Sequence, residues 1–404
     1  MLVRRLARRA HPAALAAALA LAPALPATLP AQGSSAPDSG AYVTRLGSDT
    51  LALERFVRTP RRVEADVVLR VPTTMRTRYV LELSPAGELA RLEAVTTDPR
   101  GARPGRREVI TRAGDSLRIE TTVGDSSRTR TVAADAAVLP FIDMVHWPYE
   151  VALVRALPPA GGGEWTQPLL TGARVSPFRI TRIGADSVTI THPSRGTMRA
   201  RVDARGRLLG LDAGATTRKL VVERRPWMPI DESVSRWIAL DAAGRSLGAL
   251  SGRAEETETV ADASLTVDYG TPARRGRAIW GALVPFGEVW RTGANMATHF
   301  STSRDLVLGS GADTLVVPAG SYTLFSIPTA EGGVLIVSRQ TGQTGTAYDP
   351  AQDLGRIPLH ARTLDESVEL FTIDVAAGGP PGADGEIRLR WDRGERVVPF
   401  RVRR

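Results

Sequence analysis

The sequence contains no cysteine. That absence excludes a disulfide framework, a thiol nucleophile, a thiolate metal site and the acylated cysteine of a lipoprotein anchor. Lysine is almost as scarce: Lys219 is the only one, so nearly all of the 52 Lys and Arg residues are arginine. The arginines are interspersed with Asp and Glu, and the formal net charge of +9 includes Arg4, Arg5, Arg8 and Arg9 of the first segment. A nucleic-acid-binding protein presents a clustered basic face, so no nucleic acid is expected as partner. Beyond that first segment no apolar run approaches the ~20 residues of a spanning helix, and no transmembrane segment is expected in the mature chain. Neither a phosphate loop nor a dinucleotide fingerprint occurs. Outside the first residues the only histidines are His146, His192, His299 and His360, without His-x-x-x-His or Glu-x-x-His spacing. Neither a metal site nor any other cofactor is expected from such a set.

What is present begins with the four arginines, an apolar run over residues 13–25, and a small-residue region ending Leu29-Pro30-Ala31. This pattern reads as a signal peptide over residues 1–31, cleaved before Gln32 and followed by a flexible linker over 32–40. A membrane anchor would need a longer run, and this one is interrupted by Pro23 and Pro26. The protein is therefore expected to be exported, either periplasmic or secreted.

From residue 41 the pattern is one of short alternating runs separated by glycine turns, as in Gly47-Ser48-Asp49-Thr50, Gly114-Asp115-Ser116 and Gly311-Ala312-Asp313-Thr314. Gly supplies positive φ, and Asp, Ser or Thr bonds its own local backbone. A second turn type is read in Ser84-Pro85-Ala86-Gly87, Asp203-Ala204-Arg205-Gly206 and Asp241-Ala242-Ala243-Gly244. Leu139, Phe141, Ile142, Val145, Tyr149, Ala152 and Leu153 recur at helical spacing, which predicts one helix near 138–157. The expected class is mainly β. Residues 41–225 would form a curved, half-barrel-like antiparallel sheet closed by that helix. Pro226-Trp227-Met228-Pro229 opens a bridging segment, 226–262, in which Val234 to Leu240 read as a strand. Residues 263–404, rich in short strands with Gly and Pro turns, would form an antiparallel β-sandwich or jelly roll.

The densest stretch of the chain follows Tyr269-Gly270-Thr271-Pro272 and runs through Gly281-Ala282-Leu283-Val284-Pro285-Phe286-Gly287 to Trp290-Arg291-Thr292-Gly293-Ala294-Asn295. With Arg275-Gly276-Arg277, Pro318-Ala319-Gly320-Ser321-Tyr322 and Trp391-Asp392, these blocks resemble, in this order, the bacterial family catalogued as domain of unknown function 2911. The resemblance covers about residues 262–402. It implies an exported β-rich module and supplies no catalytic residue. Where the resemblance implies an aromatic after Gly342-Gln343, this chain has Thr344.

Tyr269, Arg277, Glu288, Trp290, Arg291 and Asn295 are the candidate ligand-binding residues. Arginine offers a planar fork for carboxylate, phosphate or sugar hydroxyls, tryptophan a stacking face, and asparagine both donor and acceptor. The alternative is structural: Trp290 in the core, with Arg291 and Asn295 satisfying buried backbone carbonyls. The leading expectation is a non-enzymatic protein that binds a small molecule, glycan or envelope component. One rival is a hydrolase with a carboxylate pair such as Asp268 and Glu288. Another is a lipid carrier that holds apolar cargo in the N-terminal sheet.

Overall fold

The glycine-punctuated turns fall where one strand reverses into the next. Gly47-Ser48 joins strand Asp38–Leu46 to Asp49–Thr59, residues 114–115 join Arg106–Ala113 to Ser116–Val123, and residues 311–312 join Leu306–Ser310 to Asp313–Val317. The structure, a computed structural model, describes residues 37–157 and 163–403. The expected signal peptide, the first part of the expected linker and the segment 158–162 lie outside the described residues. The linker does not reach residue 40, because Asp38, Ser39 and Gly40 already pair with Arg58, Val57 and Phe56.

Among the described residues the fold is mainly β, with sheets of fifteen and nine strands and two α-helices. In the larger sheet the chain walks outward from Asp38–Leu46 by successive hairpins to an edge at Ser126–Ala133. It then crosses to the opposite edge and walks back from Leu139–Pro140 to Val221–Arg225, which pairs antiparallel with Asp38–Leu46. One pairing is parallel, that of Leu139–Pro140 with Gly163–Thr171. Both sheets are open, with distinct edge strands.

The first helix, α1 (Trp147–Ala156), is shorter than expected. Within residues 138–145, Val138, Leu139 and Pro140 are buried in succession, with Leu139–Pro140 a short strand, so the spacing does not mark a helical face. Pro140 removes a helical donor and Met144 adopts φ 61, so the segment stays outside the helix. Pro148 stands in the first turn of α1, where its missing N–H costs nothing. No residue of the helix's own chain segment caps it. Instead Glu54, fully buried in strand Asp49–Thr59, accepts from His146 N at 2.9 Å and from Trp147 N at 3.1 Å. A carboxylate at that end also complements the helix dipole.

The expected strand Val234 to Leu240 is a helix, α2 (Asp231–Ala242). Ile230, Val234 and Trp237 pack on Val43, Leu53 and Val68, on the face of the larger sheet opposite α1. Spacings of four and three residues make this stripe helical, and a seven-residue window of Val, Trp, Ile and Leu was too short to separate that period from alternation. Asp241-Ala242-Ala243-Gly244 is accordingly no hairpin; it is the helix C-terminus, where Gly244 N donates to Asp241 O at 3.1 Å. No helix among the described residues is long and apolar enough to cross a membrane.

The smaller sheet begins at edge strand Ser251–Val260 and continues through Ala263–Pro272 and Thr298–Thr302. Two long strands, Asp353–Ala377 and Gly385–Val402, pair antiparallel with each other. Residues 273–297 form the connection between the second and third of these strands, and the dense stretch lies on it.

Candidate functional site

The connection 273–297 is pinned to both sheets. At one end Arg275 bonds Asp49 through Nη1 at 2.5 Å, and its carbonyl accepts from Ser48 N at 2.9 Å. This brings the hairpin tip of the larger sheet against the loop of the smaller one. Gly47 is required there, since its φ is 59 and a Cβ would lie 2.1 Å from Arg275 O. Toward the other end Trp290 exchanges both backbone hydrogen bonds with Ser326, at 2.7 and 2.9 Å. Its ring stacks on Trp391 at 6.1 Å and meets Trp280 and Phe371 edge-on.

Between these anchors lies a cleft of about 710 Å³, within the range of small-molecule sites. The larger sheet contributes Leu46, and the loops between its elements Met144 and Lys219, to its walls, and the connection contributes Arg277, Trp290 and Arg291. Glu288 and Asn295 also line it. Five of the six candidate residues therefore converge. Tyr269 does not: it is 2% exposed and packs its ring against Phe371 at 5.9 Å.

The alternatives divide residue by residue. Arg277 plays the structural part, donating from Nε to Arg274 O at 2.9 Å and from Nη2 to Ala273 O at 2.5 Å. Trp290 is both a core and a cleft residue: it is half-buried among three other aromatic rings and lines the cleft. Arg291 differs. It is half-buried, its stem packs on Gly345, where a Cβ would lie 2.5 Å from Cδ, and its guanidinium has no hydrogen bond or ion pair among the described residues. Burial lowers its pKa from the ordinary arginine value. The carboxylate of Glu288 and the side-chain amide of Asn295 are exposed and likewise without such a bond.

The sequence reading missed Lys219. It is half-buried in the cleft wall and makes no hydrogen bond or ion pair among the described residues. Its pKa is lowered, first by burial and then by the charges of Arg291 and Arg277, with Glu288 opposing. The available signal was its singularity in an arginine-rich chain.

Backbone strain gathers at the same place. Met144, Lys219 and Asn295 line the cleft with φ of 61, 57 and 65. Thr292, next to Arg291, is fully buried at φ 50, an unfavourable region for a β-branched residue. It is held by Ser326, whose hydroxyl is 2.9 Å from Thr292 Oγ1, and by Thr298, whose hydroxyl donates to Thr292 O at 2.6 Å. Left-handed residues of this kind cost on the order of 1–3 kcal/mol each and persist where the surroundings fix them. The side chain of Arg291 is thus set by a backbone that does not relax freely.

Other candidates are not assembled in the cleft. Asp268 pairs with Arg253 and does not line it. His299 lies opposite Asp268 in the sheet, but its Nδ1 faces Ala297 O at 2.9 Å and its Nε2 accepts from Gly342 N at 2.8 Å. No cluster of metal-ligating side chains occurs among the described residues. Gly244-Arg245-Ser246-Leu247-Gly248 has the spacing of a nucleophile elbow, yet it follows the end of α2 and lacks the strand-to-helix turn that such an elbow requires. Gly345 and Thr346, which follow Thr344, stand in the cleft wall.

Residues 251–400 match the family described as protein of unknown function (DUF2911), so the C-terminal part of the chain is a domain of that family. The match includes edge strand Ser251–Val260. No curated protein matches the chain. Among solved structures, a DUF1089 family protein from Pseudomonas aeruginosa is 12% identical, covering 41% of this chain and 90% of that one, with a TM-score of 0.29.

Proposed function

We propose that this is an exported, non-enzymatic binding protein whose ligand is a small anionic molecule, held in the cleft between the two sheets. The observation that carries the reading is that Lys219 and Arg291 line one cleft, each without an ion-pair partner among the described residues. Two like charges in a partly desolvated site repel each other, and a bound anion relieves that repulsion. Arg291 supplies the fork for a carboxylate or phosphate, and Trp290, which lines the cleft, takes a planar or apolar part of the ligand. Glycans that carry an acidic group fall within this class. An apolar cargo beside α1 is less well supported, because the hollow there is about 30 Å³.

The reading includes the finer architecture expected from the sequence, an N-terminal domain with half-barrel-like curvature and a C-terminal sandwich or jelly roll. In its support, Leu153 of α1 shares one buried cluster with Ile119 and Phe178 from opposite arms of the larger sheet. Export rests on the N-terminal sequence pattern and is tested by N-terminal sequencing of protein recovered from the periplasm and medium.

The binding test is calorimetric titration with a panel of envelope-derived carboxylates, phosphates and acidic glycans. At least one class should bind, and Arg291→Ala should weaken it. If the folded Arg291→Ala protein has the same binding profile as the wild type, the site is wrongly placed.

A further inference from the structure

Lys219 has properties that a fixed cation does not need. Arginine serves everywhere else on this surface, and an arginine stays charged, whereas a lysine amine can lose its proton and become a nucleophile. The backbone on either side of Lys219 is fastened: Ala213 N donates to Leu220 O at 2.8 Å, and the guanidinium of Arg218 is bonded to Asp143. Leu220 is buried, and Lys219 itself sits at φ 57. The residue is thus presented to the cleft from a turn with little freedom.

Its surroundings shift it toward the neutral amine. Burial and the neighbouring Arg291 and Arg277 lower its pKa, and Glu288 is the one group in the cleft that opposes them. Desolvation beside another cation is the established way of activating a lysine toward carbonyl carbon. Arg291, with its unpaired guanidinium, stands ready to hold a carboxylate of the same molecule, and Glu288 offers a carboxylate that can relay protons.

We propose that Lys219 captures carbonyl-bearing carboxylates covalently and reversibly, as an imine, with Arg291 holding the carboxylate and Glu288 relaying the proton. The neutral amine adds to the carbonyl carbon, forming a C–N bond, and the proton released from nitrogen reaches the carbinolamine oxygen by way of Glu288. The second proton of the nitrogen follows the same route, so that the oxygen leaves as water as the C=N bond forms. No oxidant or reductant is consumed, and hydrolysis reverses the step. This deepens the anion-binding reading and rests on it.

The experiment is reductive trapping of the full mature chain with glyoxylate and cyanoborohydride at neutral pH, followed by intact mass and peptide mapping. With one lysine in the chain, the α-amine of the N-terminus is an internal control. The expected result is a saturable adduct on Lys219, formed faster than on the N-terminus and faster than on Lys219 of the urea-unfolded protein. Arg291→Ala should slow it about tenfold or more at fixed glyoxylate, the loss expected for a hydrogen-bonded charge partner. Glu288→Gln should slow imine formation even though it removes the one charge that favours the protonated Lys219 amine. A Lys219 adduct no faster than in unfolded protein overturns the proposal. Calorimetric binding of glycolate, which has no carbonyl to trap, separates the failures: binding without trapping refutes the imine alone, and absence of both refutes the anion site as well.

Discussion

Two groups of charges in this molecule are removed from water to different extents, and they are treated in opposite ways. Within the larger sheet, Glu54 is fully buried and accepts from two backbone N–H groups, with the His146 ring nitrogen Nδ1 3.0 Å away. Glu150, 1% exposed, is bonded by Tyr42, Arg224 and Leu208 N. In the cleft, Lys219 and Arg291 are half-buried and bonded to nothing among the described residues. Deep burial with direct hydrogen-bonded pairing is what holding a helix to a sheet requires. Half-burial without pairing stabilises nothing in the free protein, and that contrast separates the scaffold from the site.

The contrast is broken most severely by Glu54→Ala. It leaves buried donors without an acceptor, and unfolding free energy should fall by about 2–6 kcal/mol, at about 1–3 kcal/mol for each of the two buried backbone N–H groups left unsatisfied. Chemical denaturation measures it. A next smaller effect is expected on affinity: Arg291→Ala should weaken binding of the anionic ligand roughly ten- to hundred-fold by calorimetry, as for loss of a hydrogen bond to a charged group. Gly47→Ala tests the junction that forms the cleft. Its left-handed backbone alone costs about 1–2 kcal/mol, and the clash with Arg275 O should loosen the hairpin tip from the loop. Weaker binding with both sheets retained by circular dichroism is the expected outcome.

The smallest effect concerns Lys219. Its pKa in the folded protein lies below the ordinary 10.5, so between those two values the unfolded chain binds more protons. Stability contributed at this site therefore rises with pH across that window and is constant below the folded pKa. The difference in unfolding free energy between wild type and Lys219→Met, followed from neutral to alkaline pH, should shrink through the window, with the variant the more stable at its lower end.

Local features were legible in the sequence because their causes are local. A glycine turn followed by Asp or Ser determines a hairpin within four residues, so the turns at Gly47, Gly114 and Gly311 could be read directly. The helix α2 was not, because its stripe of Ile230, Val234 and Trp237 extends beyond the window in which Val, Trp, Ile and Leu resemble a strand. The connection bearing Trp290, Arg291 and Asn295 stood out by composition. Its function in closing a cleft did not, since Leu46, Lys219 and Arg291 meet only after both sheets have folded. Arg277 and Arg291 are indistinguishable in the sequence; one is consumed by Ala273 O and Arg274 O, and the other is free of such bonds.

The central claim is that the cleft holds a strained, unneutralised charge pair awaiting an anion. A single lysine makes it directly measurable, since selective 13C labelling of lysine gives one side-chain signal to titrate by NMR. The account predicts a pKa below 10.5 in the free protein, which rises when glycolate or another bound carboxylate is added. A titration at the ordinary lysine value, unmoved by any anion of the panel, would contradict it.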